Sequence, residues 1–118
     1  MKITIYHNPR CSNSRGALAL IQEAGFEPEV IDYLKQPPDA ATLNRLIREA
    51  GLSARALMRV KEAVYDELKL DAPELDEAAL IDAMVAHPVL INRPLVVTPL
   101  GTRLCRPPET VKEILPKR

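Results

Sequence analysis

The chain has 118 residues, enough for one domain with a single core and no covalent staples. Lysine plus arginine equals aspartate plus glutamate at 16 each, so no basic excess argues for general nucleic-acid binding, and any anion site must be local. Two cysteines, with neither an N-terminal apolar leader nor an apolar run of membrane-spanning length, predict a reduced cytoplasmic protein that does not associate with membranes.

In chain order, residues 2 to 6 alternate in the β-branched manner of a short strand, through Ile3, Thr4 and Ile5. Ala17, Leu18, Leu20, Ile21 and Ala24 then recur at helical spacing, which predicts a helix from about Ser12 to a stop near Gly25. Residues 29 to 34 read as a second strand. A strand, a helix and a strand in so short a span form a βαβ unit, so the two strands are expected to be parallel.

Asp39 to Leu52 opens on a capping residue, sets Leu43, Leu46, Ile47 and Ala50 on one face, and stops near Gly51. Residues 53 to 70 are charged and predict short helical pieces, with Leu57, Val60, Val64 and Leu68 near helical spacing. Asp76 to His87 predicts another helix, with Ala79, Leu80, Ala83 and Met84 turned inward. Beyond Pro88, residues 90 to 97 are apolar and β-branched, residues 98 to 101 turn, and residues 102 to 106 return as a strand. This is a hairpin. Pro107-Pro108 begins a last helix whose apolar face is Val111, Ile114 and Leu115.

The chemistry-bearing groups gather where the first strand meets the first helix. At a helix start, unpartnered backbone N–H groups and the positive end of the macrodipole favour a thiolate, so Cys11 is expected to have a depressed pKa. His7, Arg10 and Arg15 add positive charge or donors nearby, and the Ser14 hydroxyl can donate to the sulfur. Ser14 stands where a second cysteine would complete a C-x-x-C pair. Any adduct on Cys11 therefore needs an outside thiol, or the distant Cys105, to resolve it. Alternating positions on a strand favour a core role for Cys105.

Spacing narrows the alternatives. A C-x5-R phosphatase loop would need arginine where Ala17 stands, no G-x4-G-K loop occurs, and His7, Cys11, His87 and Cys105 have no zinc-site spacing. The expectation is no bound metal or cofactor. An oxyanion would have to be met by arginine forks from elsewhere in the chain, and Arg59, Arg93 and Arg106 sit at element junctions.

The order βαβ, helices, ββα, with C-x-x-S at the first turn and Pro94 before the third strand, resembles the thioredoxin and glutaredoxin fold: an α/β mixed sheet with a helical insertion at about residues 39 to 87. In that fold the corresponding proline is cis and faces the cysteine. The segments Tyr6-His7-Asn8-Pro9-Arg10-Cys11-Ser12-Asn13-Ser14-Arg15, Arg55-Ala56-Leu57-Met58-Arg59 and the run from His87 to Pro107 are similar to the glutaredoxin-coupled bacterial arsenate reductases. Some members carry a longer tail, but every site residue lies upstream of Arg118.

The resemblance implies that Cys11 attacks arsenate, that His7 and Ser14 keep it ionised, and that Arg59, Arg93 and Arg106 hold the oxyanion. It also implies glutathione as thiol co-substrate and glutaredoxin as partner. Two other readings remain open on the same fold, a glutathione-dependent thiol oxidoreductase and a noncatalytic regulator that binds RNA polymerase. Ser14 argues against the regulator, whose members typically carry C-x-x-C. The expected state is a monomer, because no apolar stripe exceeds what the core needs.

Overall fold

The computed structural model describes residues 2–117. By contact density the chain separates into two compact units: residues 1–36 with 93–118, and residues 37–92.

The first unit carries the sheet. Strand β1 (Thr4–His7) leads into helix α1 (Ser12–Glu23), and β2 (Glu29–Asp32) pairs parallel to β1, with Ile5 opposite Val30 and His7 opposite Asp32. Gly25 takes the left-handed backbone (φ 92°) that closes α1, as expected of its place in the sequence. Strands β3 (Leu95–Thr98) and β4 (Gly101–Leu104) form the hairpin, closed by Pro99-Leu100. β3 runs antiparallel to β1, so the sheet order is β2-β1-β3-β4. One buried cluster joins sheet and helix through Ile3, Ile5, Ala17, Ile21 and Val96, with Val111 and Ile114 added from the C-terminal segment.

That segment, Pro108–Glu113, is a 3-10 helix rather than an α-helix. It packs closely on α1: a Cβ on Gly16 would lie 2.9 Å from Cγ of Pro108. The peptide bonds Arg93–Pro94 and Arg106–Pro107 are both cis. The first has the geometry that the resemblance assigned to Pro94; the second was not anticipated.

The second unit is helical. Helix α2 (Ala40–Glu49) is capped by Asp39, whose carboxylate accepts from the Thr42 N–H at 2.8 Å, and it buries Leu43, Leu46 and Ile47. The stretch 53–70 gives two short helices, α3 (Ala54–Leu57) and α4 (Ala63–Glu67). The expected stripe through this stretch does not hold: Val60 and Leu68 are 54% and 47% exposed. The chain leaves helical geometry at Met58, which bridges to Ile91, and the Arg59 N–H donates to the Leu90 carbonyl at 2.8 Å. Long-range pairing therefore overrides local spacing at this point.

Helix α5 (Glu77–Ala86) is capped by Asp76 and buries Leu80, Ile81 and Met84. The strand expected over residues 90–97 begins only at Leu95, because Leu90 closes a 3-10 turn, Pro88–Leu90, with Pro88 at its first position. Among the described residues no helix is long and apolar enough to cross a membrane.

Candidate active site

The turn after β1 brings the cysteine to its position. Asn8-Pro9-Arg10-Cys11 is a tight turn in which the Cys11 N–H donates to the Asn8 carbonyl at 3.0 Å. The Asn8 side chain reinforces it by accepting from the Arg10 N–H at 2.9 Å, the local bond that makes asparagine a turn residue. Arg15 braces the same loop, its Nη1 donating to the Pro9 carbonyl at 2.8 Å. Cys11 emerges with extended backbone (φ −93°, ψ 123°) as the N-cap of α1, and its carbonyl accepts the first helical bond, from Arg15 N–H.

The half-buried sulfur lies over the first turn of the helix and caps it electrostatically rather than through a short cap hydrogen bond. Partial burial pushes the Cys11 pKa up, but this is outweighed. The Ser14 backbone N–H, the Arg93 guanidinium, the Asn13 backbone N–H and the Arg106 guanidinium together hold it below the ordinary thiol value.

Two arginines from the far side of the sequence complete the surroundings. Arg106, just past β4, directs Nη1 to the Cys11 Sγ at 3.6 Å and donates from the same nitrogen to the Arg93 carbonyl at 3.0 Å. The Asn13 amide, turned with its oxygen toward the guanidinium, accepts from Nη1 and Nη2 of Arg106 at 3.3 Å each. Arg93 precedes the cis proline, its guanidinium bonds the sulfur, and its Nε and Nη1 are shielded from solvent.

His7 and Ser14 lie beneath the cysteine and are buried. The Ser14 hydroxyl is 2.6 Å from Nδ1 of His7 and accepts from the Asn8 N–H at 3.0 Å. The sequence pointed the Ser14 hydroxyl at the sulfur; here it ties His7 to the loop, and the Ser14 backbone amide faces the sulfur instead. Burial lowers the His7 pKa, the Asp32 carboxylate raises it and Arg15 lowers it, with burial prevailing. His7 is therefore a neutral hydrogen-bonding support at neutral pH and supplies no positive charge.

Arg59 belongs to the helical unit. Its Nε meets the Glu62 carboxylate at 3.2 Å and its Nη1 donates to the Asn92 side chain at 3.2 Å, directly before Arg93 in sequence. Cys105 is fully buried in the core of the sheet unit. Burial first, then the nearby Glu113 carboxylate, push its thiol up to about 12 against a smaller opposing effect of Arg103. Sequence reasoning gave Asn13 no role, because its partner lies 93 residues along the chain (106 − 13) and no local pattern marks the pair.

An activated thiolate with two guanidinium groups at its side can attract a tetrahedral oxyanion, hold it by forked hydrogen bonds and attack its central atom. Comparison with known proteins points to one family. The ArsC family model matches residues 6–114. An arsenate reductase of Rhizobium meliloti is 54% identical over 116 residues, 98% of this chain and 83% of that protein. The uncharacterized protein YfgD of Escherichia coli is 54% identical over 115 residues, 97% of each. A solved arsenate reductase from Vibrio cholerae superposes with a TM-score of 0.94 at 49% identity, covering 98% of each chain. Its family and its fold follow together from these matches: the chain belongs to the ArsC family and has the thioredoxin-like fold of those reductases.

Proposed function

We propose that this protein reduces arsenate to arsenite, using glutathione and glutaredoxin as the source of electrons. The observation that carries the proposal is the Cys11 thiolate flanked by the Arg93 and Arg106 guanidinium groups. The arsenate reductases of Rhizobium meliloti and Escherichia coli, each 54% identical, support it.

In this reading Cys11 Sγ attacks arsenic, and an oxygen of arsenate leaves as water once protonated, giving an S–As(V) bond. Arg93 and Arg106 neutralise the remaining oxyanion charge during the attack. A glutathione thiol displaces a second oxygen, again as water. A glutaredoxin thiolate then attacks the glutathione sulfur, and the electron pair of that S–As bond stays on arsenic, which becomes As(III). Two thiols leave as one mixed disulfide, which accounts for both electrons. Water cleaves the remaining Cys11–arsenic bond, releasing arsenite and restoring the thiol. The serine at position 14 fits this division of labour, since outside thiols do the resolving. Arg59 receives an oxyanion-binding role from the resemblance alone.

Arsenate titrations test the pocket. Arg93→Ala and Arg106→Ala each remove a charged hydrogen-bond donor worth about 1.5–3 kcal/mol, and should raise the apparent KM for arsenate about 10- to 100-fold. Arg59→Ala in the same assay tests the third arginine. An unchanged KM in both the Arg93 and Arg106 variants would remove the oxyanion pocket.

A further inference from the structure

A second feature lies on the other side of the cysteine loop. A cleft of about 380 Å³ opens at the C-terminal ends of β1 and β2, lined by Asn8, Pro9, Arg10, Asp32, Leu34 and Lys35. The crevice beyond the carboxyl ends of parallel strands is where α/β sheets commonly take ligands, and the volume lies within the roughly 300–1,000 Å³ of small-molecule sites. Its wall begins at Arg10, one residue from the nucleophile.

The charges of the lining form a pattern. Arg10 and Lys35 are exposed, and among the described residues neither forms an ion pair within the protein. Asp32 supplies one carboxylate, anchored where its Oδ1 accepts from the Leu34 N–H at 3.2 Å. Leu34, 43% exposed, adds an apolar wall. Two cations and one anion around a small cleft complement a ligand with two carboxylates and one ammonium. Such a ligand, with a thiol between its charged ends, is a small peptide thiol of the glutathione type.

We propose that this cleft is the docking site of the thiol co-substrate. Arg10 and Lys35 pair with its two carboxylates, Asp32 pairs with its ammonium, and its sulfur is presented to the Cys11 adduct. The assignment rests on the thiol-dependent reading of Cys11 given above and adds the binding subsite to it. It also gives the cation at position 10 a use: Arg10 is not among the groups that hold down the Cys11 pKa.

Binding and turnover separate this proposal from the reading it rests on. Binding of S-methylglutathione, which cannot react, is measured by calorimetry on wild type and on the Arg10→Gln/Lys35→Gln double variant. Loss of two exposed charge pairs should weaken binding about tenfold. In the coupled arsenate assay the same variant should raise the KM for glutathione to a similar degree, with the KM for arsenate unchanged. Alkylation of Cys11 by iodoacetamide should proceed at the same rate in both proteins, since neither cation is among the groups that hold down its pKa. Equal affinity of wild type and double variant for S-methylglutathione would overturn the cleft assignment. Weakened binding in a protein with no arsenate turnover would uphold the cleft and overturn the arsenate reading alone.

Discussion

At the scale of single residues, the two cysteines of this chain are set far apart in reactivity by their surroundings. Cys11 has the N–H groups of a helix start and two guanidiniums at its sulfur, and its pKa falls; Cys105 has burial and a carboxylate, and its pKa rises to about 12. Iodoacetamide reacts with the thiolate, so its rate at Cys11 should climb with pH through an inflection below the ordinary thiol value. Arg106→Ala removes one of the groups that favour the charge, and should move that inflection upward. The native Cys11→Ser protein should take no label near pH 8, where Cys105 is protonated and buried; labelling there would contradict the inert role given to it. The N-cap position of Cys11 and its depressed pKa were legible in sequence, because both are properties of one short segment. The Asn13–Arg106 contact and the turning of Ser14 toward His7 were not, since each depends on which side chains the folded sheet brings together.

Among elements, the contact that most directly carries the site is that between α1 and the C-terminal 3-10 segment. Gly16 lets the ring of Pro108 approach the helix, and Pro108 lies two residues beyond Arg106. A proline ring cannot swing aside as a flexible side chain does. Gly16→Val should therefore destabilise the protein by about 1–3 kcal/mol, the usual penalty for overfilling a packed contact. Urea unfolding measures this, and a variant as stable as wild type would show that the segment yields. The strands and the long helices were readable because caps, left-handed glycines and spacing agreed: Asp39 caps where predicted, the helix expected from Asp76 starts there, and Gly25 and Gly51 take positive φ. The stretch 53–70 misled because its apolar residues fit a helical stripe, while the backbone of Met58 and Arg59 pairs instead with residues 90 and 91. The start of β3 was placed too early, at residue 90 rather than 95: Leu90 and Ile91 suit a strand by composition, but Pro88 begins a 3-10 turn that takes in Leu90.

For the whole molecule, a chain with no net charge draws positive charge to one place, the start of α1, from Arg93 and Arg106 far along the sequence. That concentration is what an anionic substrate requires, and the family and fold agree with it. The central claim is that Cys11 turns arsenate over at the cost of glutathione. The measurement that tests it most directly is arsenate-dependent NADPH consumption in a mixture of glutathione, glutathione reductase and glutaredoxin, comparing wild type with Cys11→Ser. The account predicts turnover by wild type that depends on arsenate and on both thiols, and none above background in the folded Cys11→Ser protein. Undiminished turnover in Cys11→Ser, or none in folded wild type, would contradict it.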